Sequence, residues 1–257
     1  MRLYYFLRAV FRIVTRLICR YRVYGLERVP ESGPLLIVAN HLSWFDPILF
    51  GVALRRRVWY FTKSEMFHWP IVGKACELTE QISVRRGESD RAALEKALIY
   101  LQEGRALGIF PEGTVERKEV MIPALTGVAM LAIRSGATVL PVAHTGTRKV
   151  LRSPRYWFPR VTIMIGEPYV PVLPAGVPRK VGLQRVTDEM MFRIARMLPP
   201  ERRGVYAKEP YEGKDEGDRK NLTKEESEDA RKNLTKEKSE DARKGPHATS
   251  TPPPSLQ

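Results

Sequence analysis

The stretch PLLIVANHLSWFDP, residues 34–47, decides the fold and points to a candidate site. Its first six residues are apolar and rich in branched side chains, which predicts a short buried strand. Polar residues follow at once, and two of them, His41 and Asp46, are capable of proton chemistry. Pro47 suits the first turn of a helix. The stretch therefore predicts a strand, a tight turn and a helix, with proton-transfer groups in the turn.

Similar apolar runs recur along the chain, and helical patterns separate them. The predicted strands cover residues 34–39, 58–62, 81–84, 106–110, 138–143 and 161–166. The predicted helices cover residues 47–55, a segment capped by Ser89 and ended by Gly104, residues 124–136 closed by Gly136, and residues 180–198. This alternation predicts an α/β fold: a single domain with a mixed, largely parallel sheet flanked by helices.

Charged residues follow four of the predicted strands. His41 follows the first strand, Lys63 the second, Arg85 and Arg86 the third, and Glu112 the fourth. His41 is the only histidine that we assign to such a position. Ligands of open α/β sheets bind outside the carboxyl ends of the strands, so parallel neighbouring strands would bring these residues into one crevice. Each cation taken alone could equally be solvated.

His41 is a candidate general base, and Asp46 a candidate group for orienting its imidazole. A tight turn over residues 41–46 would let the two side chains meet. Two other interpretations remain open. Asp46 precedes a proline at a helix start, where aspartate is an ordinary N-cap, and the backbone at the strand end could hold His41.

The sequence contains no recognisable protein nucleophile. The G-x-S-x-G pattern is absent, and nothing near Cys76 would activate a thiol. A base without a nucleophile suggests direct attack by a substrate hydroxyl or by water. The segment GIFPEGTV (108–115) has the glycine spacing of a phosphate-binding loop but lacks its lysine, which excludes that kind of nucleotide site. Glu112 could bind a hydroxyl there, and Gly113 would let a ligand approach the backbone. A plain turn is the alternative.

The net charge of +14 suggests nucleic acid, an anionic membrane or phosphorylated small molecules as partners. No nucleic-acid-binding module is recognisable, so we expect no nucleic-acid partner. Residues 1–30 contain seven arginines and one glutamate, so much of the excess lies at the N-terminus. Two cysteines, Cys19 and Cys76, make no disulfide framework and suggest a reducing compartment.

Residues 1–24 predict an amphipathic helix at the membrane interface. Arginines recur every four residues at positions 8, 12, 16 and 20, and apolar side chains fill the rest of the circumference. An arginine in every turn argues against a spanning helix and against a secretory signal. We expect the apolar flank to enter the acyl boundary and the arginines to bind lipid phosphates. The alternative is a helix packed on the protein's own core.

Four blocks in this order resemble the 1-acylglycerol-3-phosphate acyltransferase family of glycerolipid acyltransferases. The first, H-x4-D, is present as His41 to Asp46. KSEMFHWPIVGKA and ISVRRG match a basic block, in which Arg86 stands at the phosphate-binding arginine. FPEGTV (110–115) matches the family's F-P-E-G-T-R, and VLPVA, with Pro141, matches a short block with a proline.

The resemblance implies that His41, oriented by Asp46, deprotonates the free hydroxyl of a lysophospholipid, which then attacks an acyl thioester. The acceptor implied is 1-acylglycerol-3-phosphate, and the donor is acyl-CoA or an acyl carrier protein thioester. No cofactor and no metal are expected. The enzyme would associate with an anionic membrane surface, at the cytoplasmic face of the cell membrane.

By the same resemblance, Glu112, Gly113 and Thr114 would bind the acceptor, while Arg86 and Lys63 would bind its phosphate. The chain departs from the family pattern at Val115, where an arginine is usual, and at Arg85, where an acidic residue is common. Both departures affect the headgroup of the acceptor more than the chemistry. Arg117 or Lys118 could replace the missing cation.

These inferences divide the chain into an interface helix (1–24), an acyltransferase domain (25–207) and a charged tail (208–257). The tail repeats RKNLTKE(E/K)SEDA with a period of twelve, and its low hydrophobicity predicts disorder. Two other functions remain open: a hydrolase, in which water replaces the lipid hydroxyl, and a lipid-binding protein without catalysis. Catalysis by the intact pair of His41 and Asp46 is favoured, because binding alone requires no general base.

Overall fold

The computed structural model describes residues 2–85, 90–115, 119–150 and 158–208. Residues Met1–Lys208 form one compact unit. Apart from Lys208, the tail predicted to be disordered lies outside the described residues.

Seven helices and seven strands alternate through the described residues. The helices are α1 (Arg2–Ile18), α2 (Asp46–Ala53), α3 (Pro70–Leu78), α4 (Arg91–Gln102), α5 (Gly127–Ser135), α6 (Thr147–Val150) and α7 (Arg179–Met197). The strands are β1 (Arg20–Tyr24), β2 (Leu35–Ala39), β3 (Val58–Lys63), β4 (Ile82–Val84), β5 (Ala106–Ile109), β6 (Thr138–Thr145) and β7 (Arg160–Ile165). The six strands predicted from the sequence are all present, with ends shifted by one or two residues.

The described strands form one sheet in the order β1-β7-β6-β2-β5-β3-β4. Strands β6, β2, β5, β3 and β4 are parallel neighbours, whereas β7 runs antiparallel to β6 and carries β1 parallel to itself. The predicted mixed, largely parallel α/β sheet is therefore confirmed. Its five parallel strands end at the same edge, where the candidate site lies.

Strand β2 lies at the centre of the sheet and is buried on both faces. Leu36 and Val38 face a cluster built with α4, α5 and α7, while Leu35 and Ile37 face a cluster built with α2, β1 and β7. All four side chains are at most 1% exposed. An apolar strand covered on both faces is typical of a parallel sheet, and it gives the turn after β2 a rigid support.

The N-terminal helix is shorter than predicted. It ends at Ile18, and residues 20–24 form β1 at the edge of the sheet, paired with Arg160–Met164 of β7. The segment RYRVY alternates exposed and half-buried residues, which is the period of a strand. The arginine spacing continues into this strand and extended the predicted helix too far, because β7 supplies backbone partners that sequence periodicity cannot show.

Two helix ends test the predicted signals. Gly136 ends α5 in the left-handed conformation with φ 62°, as predicted. Helix α4 begins two residues after the predicted cap: Ser89 lies outside the described residues, and Asp90 is the N-cap, whose carboxylate accepts a hydrogen bond from the Ala93 amide at 3.0 Å. Both residues are favourable caps, and local sequence alone did not choose between them.

Candidate active site

The turn that follows β2 is tight and is held by local hydrogen bonds. The Asp46 amide donates to the Ser43 carbonyl at 3.1 Å, and the Phe45 amide donates to the Ser43 hydroxyl at 3.2 Å. His41, Ser43 and Asp46 are all buried, with exposures of 6%, 6% and 0%. The predicted tight turn into a helix is confirmed, and it brings His41 and Asp46 together.

One carboxylate oxygen of Asp46 accepts three hydrogen bonds from the turn. Its Oδ2 accepts from His41 Nδ1 at 2.9 Å and from the Leu42 and Ser43 amides at 2.8 Å each. Helix α2 begins at Asp46 itself, so the carboxylate reaches back into the turn instead of capping the next amides of the helix. Asp46 is therefore not an ordinary N-cap; it fixes His41.

The surroundings of Asp46 stabilise its ionised form. Burial raises the pKa of this carboxyl, but the attraction of His144, and then that of His41, outweighs burial and holds the pKa well below its ordinary value of 3.8. A carboxylate beside Nδ1 favours the tautomer with hydrogen on that nitrogen. The lone pair then lies on Nε2 of His41, where a base can use it.

A second histidine contacts the other oxygen of Asp46. His144, in β6, places Nε2 3.0 Å from Asp46 Oδ1, and both side chains are 0% exposed. Asn40 connects the two strands: its amide donates to the His144 carbonyl at 3.1 Å, and its own oxygen accepts from the His144 amide at 3.0 Å. The expectation that His41 is the only histidine at a strand end was wrong.

Phe110 packs flat against the imidazole of His41. Their ring centroids are 4.1 Å apart and their planes differ by 15°. The Tyr60 ring also stacks on Phe110, with ring centroids 6.2 Å apart, and it has room only because Gly108 lacks a Cβ, which would lie 2.2 Å from the Tyr60 ring. Phe110, directly after β5, thus packs on His41 and is itself supported by Tyr60 of β3.

Glu112, Gly113 and Thr114 follow β5 in a turn beside His41. Glu112 is 5% exposed and shares a surface depression with Asn40 and Leu42, the two chain neighbours of His41. Gly113 has φ 68°, a conformation that favours glycine, and its amide donates to the Phe110 carbonyl at 3.0 Å. Glu112 thus lies near the chain neighbours of His41, and Thr114 is half-buried in the same turn.

Two of the predicted cationic residues, Lys63 and Arg85, lie farther along the same edge. Lys63 ends β3, which is separated from β2 only by β5, so the two strands are about 10 Å apart. Its ammonium is 3.8 Å from the carboxylate of Glu65, and its side chain is 38% exposed. Arg85 follows β4, the edge strand. Arg86, Arg117 and Lys118 lie outside the described residues.

Several known proteins are similar to this chain in sequence or in structure. Residues 20–145 match the family model described as Acyltransferase. The 1-acyl-sn-glycerol-3-phosphate acyltransferase of Bacillus subtilis (strain 168) is 27% identical over 195 residues, 75% of this chain and 95% of that protein. The crystal structure of the 1-acyl-sn-glycerophosphate acyltransferase from Thermotoga maritima matches with a TM-score of 0.58 and 25% identity, covering 72% of this chain and 75% of that one.

Residues 20–145 of this chain are therefore similar to the acyltransferase family.

A third relative differs in its acceptor. The lyso-ornithine lipid O-acyltransferase of Pseudomonas aeruginosa is 35% identical over 111 residues, which are 43% of this chain and 42% of that protein. Acyltransferases similar to this one therefore carry names with different lysolipid acceptors.

Sequence reasoning missed three residues of this acyltransferase site: Asn40, Phe110 and His144. Two signals were present. Phe110 opens the quoted FPEGT block, and His144 directly follows the strand predicted over residues 138–143. By the register that pairs Ala39 with Val142, position 144 is level with position 41. Only the strand order, which places β6 beside β2, reveals that the two histidines share one aspartate.

Within the described residues of the acyltransferase, no group of three or more histidine, cysteine, aspartate or glutamate side chains is arranged to hold a metal ion. The expectation that the site uses neither metal nor cofactor stays a prediction.

Proposed function

We propose that this acyltransferase moves a fatty acyl group from an acyl thioester to the free hydroxyl of a lysophospholipid, with His41 as the general base. The observation that carries the proposal is the contact of 2.9 Å between His41 Nδ1 and the ionised Asp46, which leaves Nε2 to accept a proton. This pair lies at the carboxyl end of the central strand, where open α/β sheets bind their ligands.

In the proposed step, Nε2 of His41 takes the proton of the acceptor hydroxyl as its oxygen attacks the thioester carbonyl. The new C–O bond forms, and the C–S bond breaks as the tetrahedral intermediate collapses. The imidazolium of His41 then returns its proton to the departing thiolate, so that the products are an ester and a thiol. Asp46 stabilises the imidazolium between the two transfers without itself being protonated.

The acceptor we propose is 1-acylglycerol-3-phosphate, which gives phosphatidic acid. Glu112, Gly113 and Thr114 would hold its glycerol. The buried carboxylate of Glu112 can accept a hydrogen bond from a hydroxyl, and Gly113, which has no side chain, lets a ligand approach the backbone. Lys63 and Arg86 would bind its phosphate, Lys63 as a point charge and Arg86 through paired N–H groups.

The donor we propose is acyl-CoA or an acyl carrier protein thioester. Either one supplies the same leaving group, a thiol of ordinary acidity, which His41 can protonate. The transfer involves no change of oxidation state, so the residues named here account for the proton movements without a redox cofactor.

A different lysolipid acceptor is the second candidate. Val115 stands where the family pattern has an arginine, so one expected phosphate contact is missing. The relative from Pseudomonas aeruginosa carries a lyso-ornithine lipid in its name. A preference for an acceptor without a phosphate would agree with both observations.

The test is acyl transfer from a long-chain acyl-CoA in detergent micelles, with 1-acylglycerol-3-phosphate and lyso-ornithine lipid offered in parallel. We expect phosphatidic acid from the wild type, and a loss of at least about a thousandfold in His41→Ala at unchanged thermal stability. Product formed from lyso-ornithine lipid but not from 1-acylglycerol-3-phosphate would show that lyso-ornithine lipid, and not the phosphate-bearing lipid, is the acceptor. No product with either acceptor, repeated with an acyl carrier protein thioester, would exclude acyl transfer to lysolipids.

We also propose that α1 attaches the acyltransferase to an anionic membrane at the cytoplasmic face of the cell membrane. Across the described residues, no helix combines the length and the apolar character that crossing a bilayer requires. One face of α1 is nevertheless apolar and exposed over about 16 Å. It consists of Phe6, Val10, Ile13 and Leu17, which are 64%, 40%, 61% and 66% exposed.

Two arginines of α1, Arg8 and Arg12, are arranged differently from the expectation. Arg8 donates to the carbonyls of Leu54 and Arg55, and Arg12 donates to the Val52 carbonyl at 3.4 Å. These two arginines therefore bind the carboxyl-terminal end of α2 and the residues that follow it, where cations are favourable, instead of being reserved for lipid phosphates. They fix α1 on the domain with its apolar face outward.

A second exposed apolar cluster lies near the active site. Trp44, between His41 and Asp46 in the chain, stacks on Trp69 with centroids 6.5 Å apart. Both indoles are about half exposed, and Ile71 beside them is 86% exposed. Tryptophan at a membrane interface keeps its ring among headgroups. A site mouth rimmed in this way suits a substrate that stays in the membrane.

Sedimentation with vesicles tests the membrane proposal. We expect the wild type to bind vesicles that contain phosphatidylglycerol more strongly than vesicles of phosphatidylcholine alone. Replacing Phe6, Ile13 and Leu17 by glutamine should remove most of the binding.

The matched control replaces three apolar residues that are exposed elsewhere by glutamine, namely Ile99, Val172 and Val205. This variant should bind like the wild type. Equal binding of both triple variants would refute attachment through α1.

A further inference from the structure

We infer that His144 is a second positioning residue for the reaction, which shares Asp46 with His41 and holds the carboxylate in the orientation that the base requires. The inference rests on the proposed function and deepens it. Its starting point is that the two oxygens of Asp46 have different partners. Oδ2 accepts from the turn and from His41, while Oδ1 lies 3.0 Å from Nε2 of His144.

Burial makes the contact with His144 important. Asp46 and His144 are both 0% exposed, so water does not reach Oδ1. A buried carboxylate oxygen without a donor is costly, and among the described residues no other side chain or backbone amide donates to Oδ1. The Nε2 side of the His144 ring therefore places a partial positive charge next to Oδ1, where it stabilises the negative charge of Asp46.

The surroundings of His144 also indicate its tautomer. Neither ring nitrogen of His144 makes a hydrogen bond of good geometry among the described residues, but Nε2 lies 3.0 Å from the carboxylate oxygen of Asp46, whereas Nδ1 has no such contact. A hydrogen on Nδ1 would be a buried donor without an acceptor, so the lone pair belongs there and the hydrogen belongs on Nε2. We therefore assign the Nε2–H tautomer to His144 and the Nδ1–H tautomer to His41.

The position of His144 is fixed by the end of β2. Asn40 makes two hydrogen bonds to the backbone of His144, one as donor and one as acceptor, and Asn40 directly precedes His41. The connection is a closed ring: Asn40 holds His144, His144 contacts Asp46, Asp46 binds His41, and His41 is joined to Asn40 by a peptide bond. A displacement of any one member would be transmitted to the base.

The consequence for catalysis concerns the charge that Asp46 offers to His41. A carboxylate shared between two imidazoles attracts a proton on His41 less strongly than an unshared one. Removing the His144 donor should therefore make His41 hold its proton more tightly. The base would then become available only at higher pH, and it would be less well oriented.

Other titratable side chains near this ring are Tyr60 and Glu112. Burial raises the pKa of Tyr60 well above 10, so this phenol stays neutral over the range of a pH profile. Glu112 shares a depression with Asn40 and is unchanged in every variant proposed here. A shift of the profile between variants at position 144 is thus attributable to that position.

Two substitutions separate the donor from the bulk of His144. His144→Gln keeps an N–H donor at about the place of Nε2, whereas His144→Leu keeps much of the volume and removes the donor. We expect kcat of His144→Gln to stay within about threefold of wild type, and kcat of His144→Leu to fall roughly ten- to a hundredfold with an unchanged KM.

The acid limb of the kcat/KM profile should move to higher pH in His144→Leu and stay in place in His144→Gln. His247→Leu, at the histidine of the charged tail, is the matched control and should behave like the wild type. If the Leu and Gln variants had equal kcat values and wild-type pH profiles, His144 would serve packing alone and the inference would be wrong.

A measurement without turnover separates this inference from the proposed function. The chain has four histidines, so imidazole nitrogen spectra of the wild type are simple to assign. We expect Nε2–H on His144 and Nδ1–H on His41. The Nδ1–H tautomer on His144 would overturn the inference even in an active enzyme. The expected tautomers would support it even if no acceptor were found.

Discussion

The ends of β2 and β6 hold their polar side chains in a different way from the ends of β3 and β4. Asp46 and His144 are fully buried, and Asp46 is bound through both oxygens. Lys63, at the end of β3, is 38% exposed and has an ion pair with the exposed Glu65 at 3.8 Å. The ends of β2 and β6 therefore hold buried side chains in a fixed geometry, whereas the end of β3 carries a positive charge on an exposed side chain.

This difference corresponds to two tasks. Proton transfer requires a base within hydrogen-bonding distance and in one tautomer, so rigid burial is useful around His41. Binding a phosphate requires mainly a positive charge within reach, which an exposed lysine can supply while it moves. Substitutions in the first region should therefore lower kcat or stability, whereas substitutions in the second should raise KM.

The largest effect is expected from Asp46→Asn. An asparagine amide can turn its N–H₂ toward His41 and favour the wrong tautomer, so we expect kcat to fall by about a thousandfold to ten-thousandfold at a similar KM. Steady-state kinetics with both substrates varied would measure this. If Asp46→Asn lost affinity for the acceptor but kept its kcat, Asp46 would serve substrate binding. That result would contradict the assignment of proton transfer to the ends of β2 and β6.

Asn40→Leu should mainly reduce stability. The substitution preserves volume but leaves the backbone N–H and C=O of His144 without partners in a buried site, which costs about 2–4 kcal/mol. We expect the melting temperature to fall by about 5–15 °C for a domain of this size. Thermal unfolding followed by circular dichroism would check this. Asn40→Asp keeps an acceptor for the His144 amide, so its melting temperature should fall less than that of Asn40→Leu.

Lys63→Met should produce a smaller effect, and one of a different kind. An exposed cation contributes modestly, so KM for a phosphate-bearing acceptor should rise about three- to tenfold while kcat changes less than about twofold. Lys180→Met, at an exposed lysine of α7, is the matched control. A drop in kcat with unchanged KM would remove the distinction between the two regions.

The smallest effect concerns acid stability. Asp46 has a folded-state pKa well below its ordinary value of 3.8, so its ionised form stabilises the fold above that pH, and this contribution is lost as pH falls below 3.8. The difference in unfolding free energy between wild type and Asp46→Asn should be about 1 kcal/mol smaller at pH 3 than at pH 6. Urea unfolding at both pH values would measure it, and a constant difference would contradict the lowered pKa.

Much of the site could be predicted because its members are close in sequence. His41 and Asp46 are five residues apart, and a tight turn between a strand and Pro47 leaves their side chains few other arrangements. The α/β class likewise follows from strands that alternate with helices. Strand β1 was not predicted, because RYRVY continues the arginine spacing of the helix, and only its pairing with β7 distinguishes strand from helix.

His144 shows where prediction from sequence ended. It lies 104 residues from Asn40, yet the two exchange hydrogen bonds because β6 pairs with β2. The roles of Arg8 and Arg12 were also unpredictable. Helical periodicity placed them on one stripe, but which partner the stripe meets depended on the packing of α1 against α2.

The sequence by itself determined the fold class, the pair of His41 and Asp46 and the cationic character of the sheet edge, because periodicity, turn chemistry and charge are local properties. Tertiary structure alone decided the strand order, the second imidazole on Asp46 and the outward direction of the apolar face of α1. The physical reason is distance along the chain. Contacts between residues that are far apart in sequence depend on how whole strands and helices pack, and no local pattern records that packing.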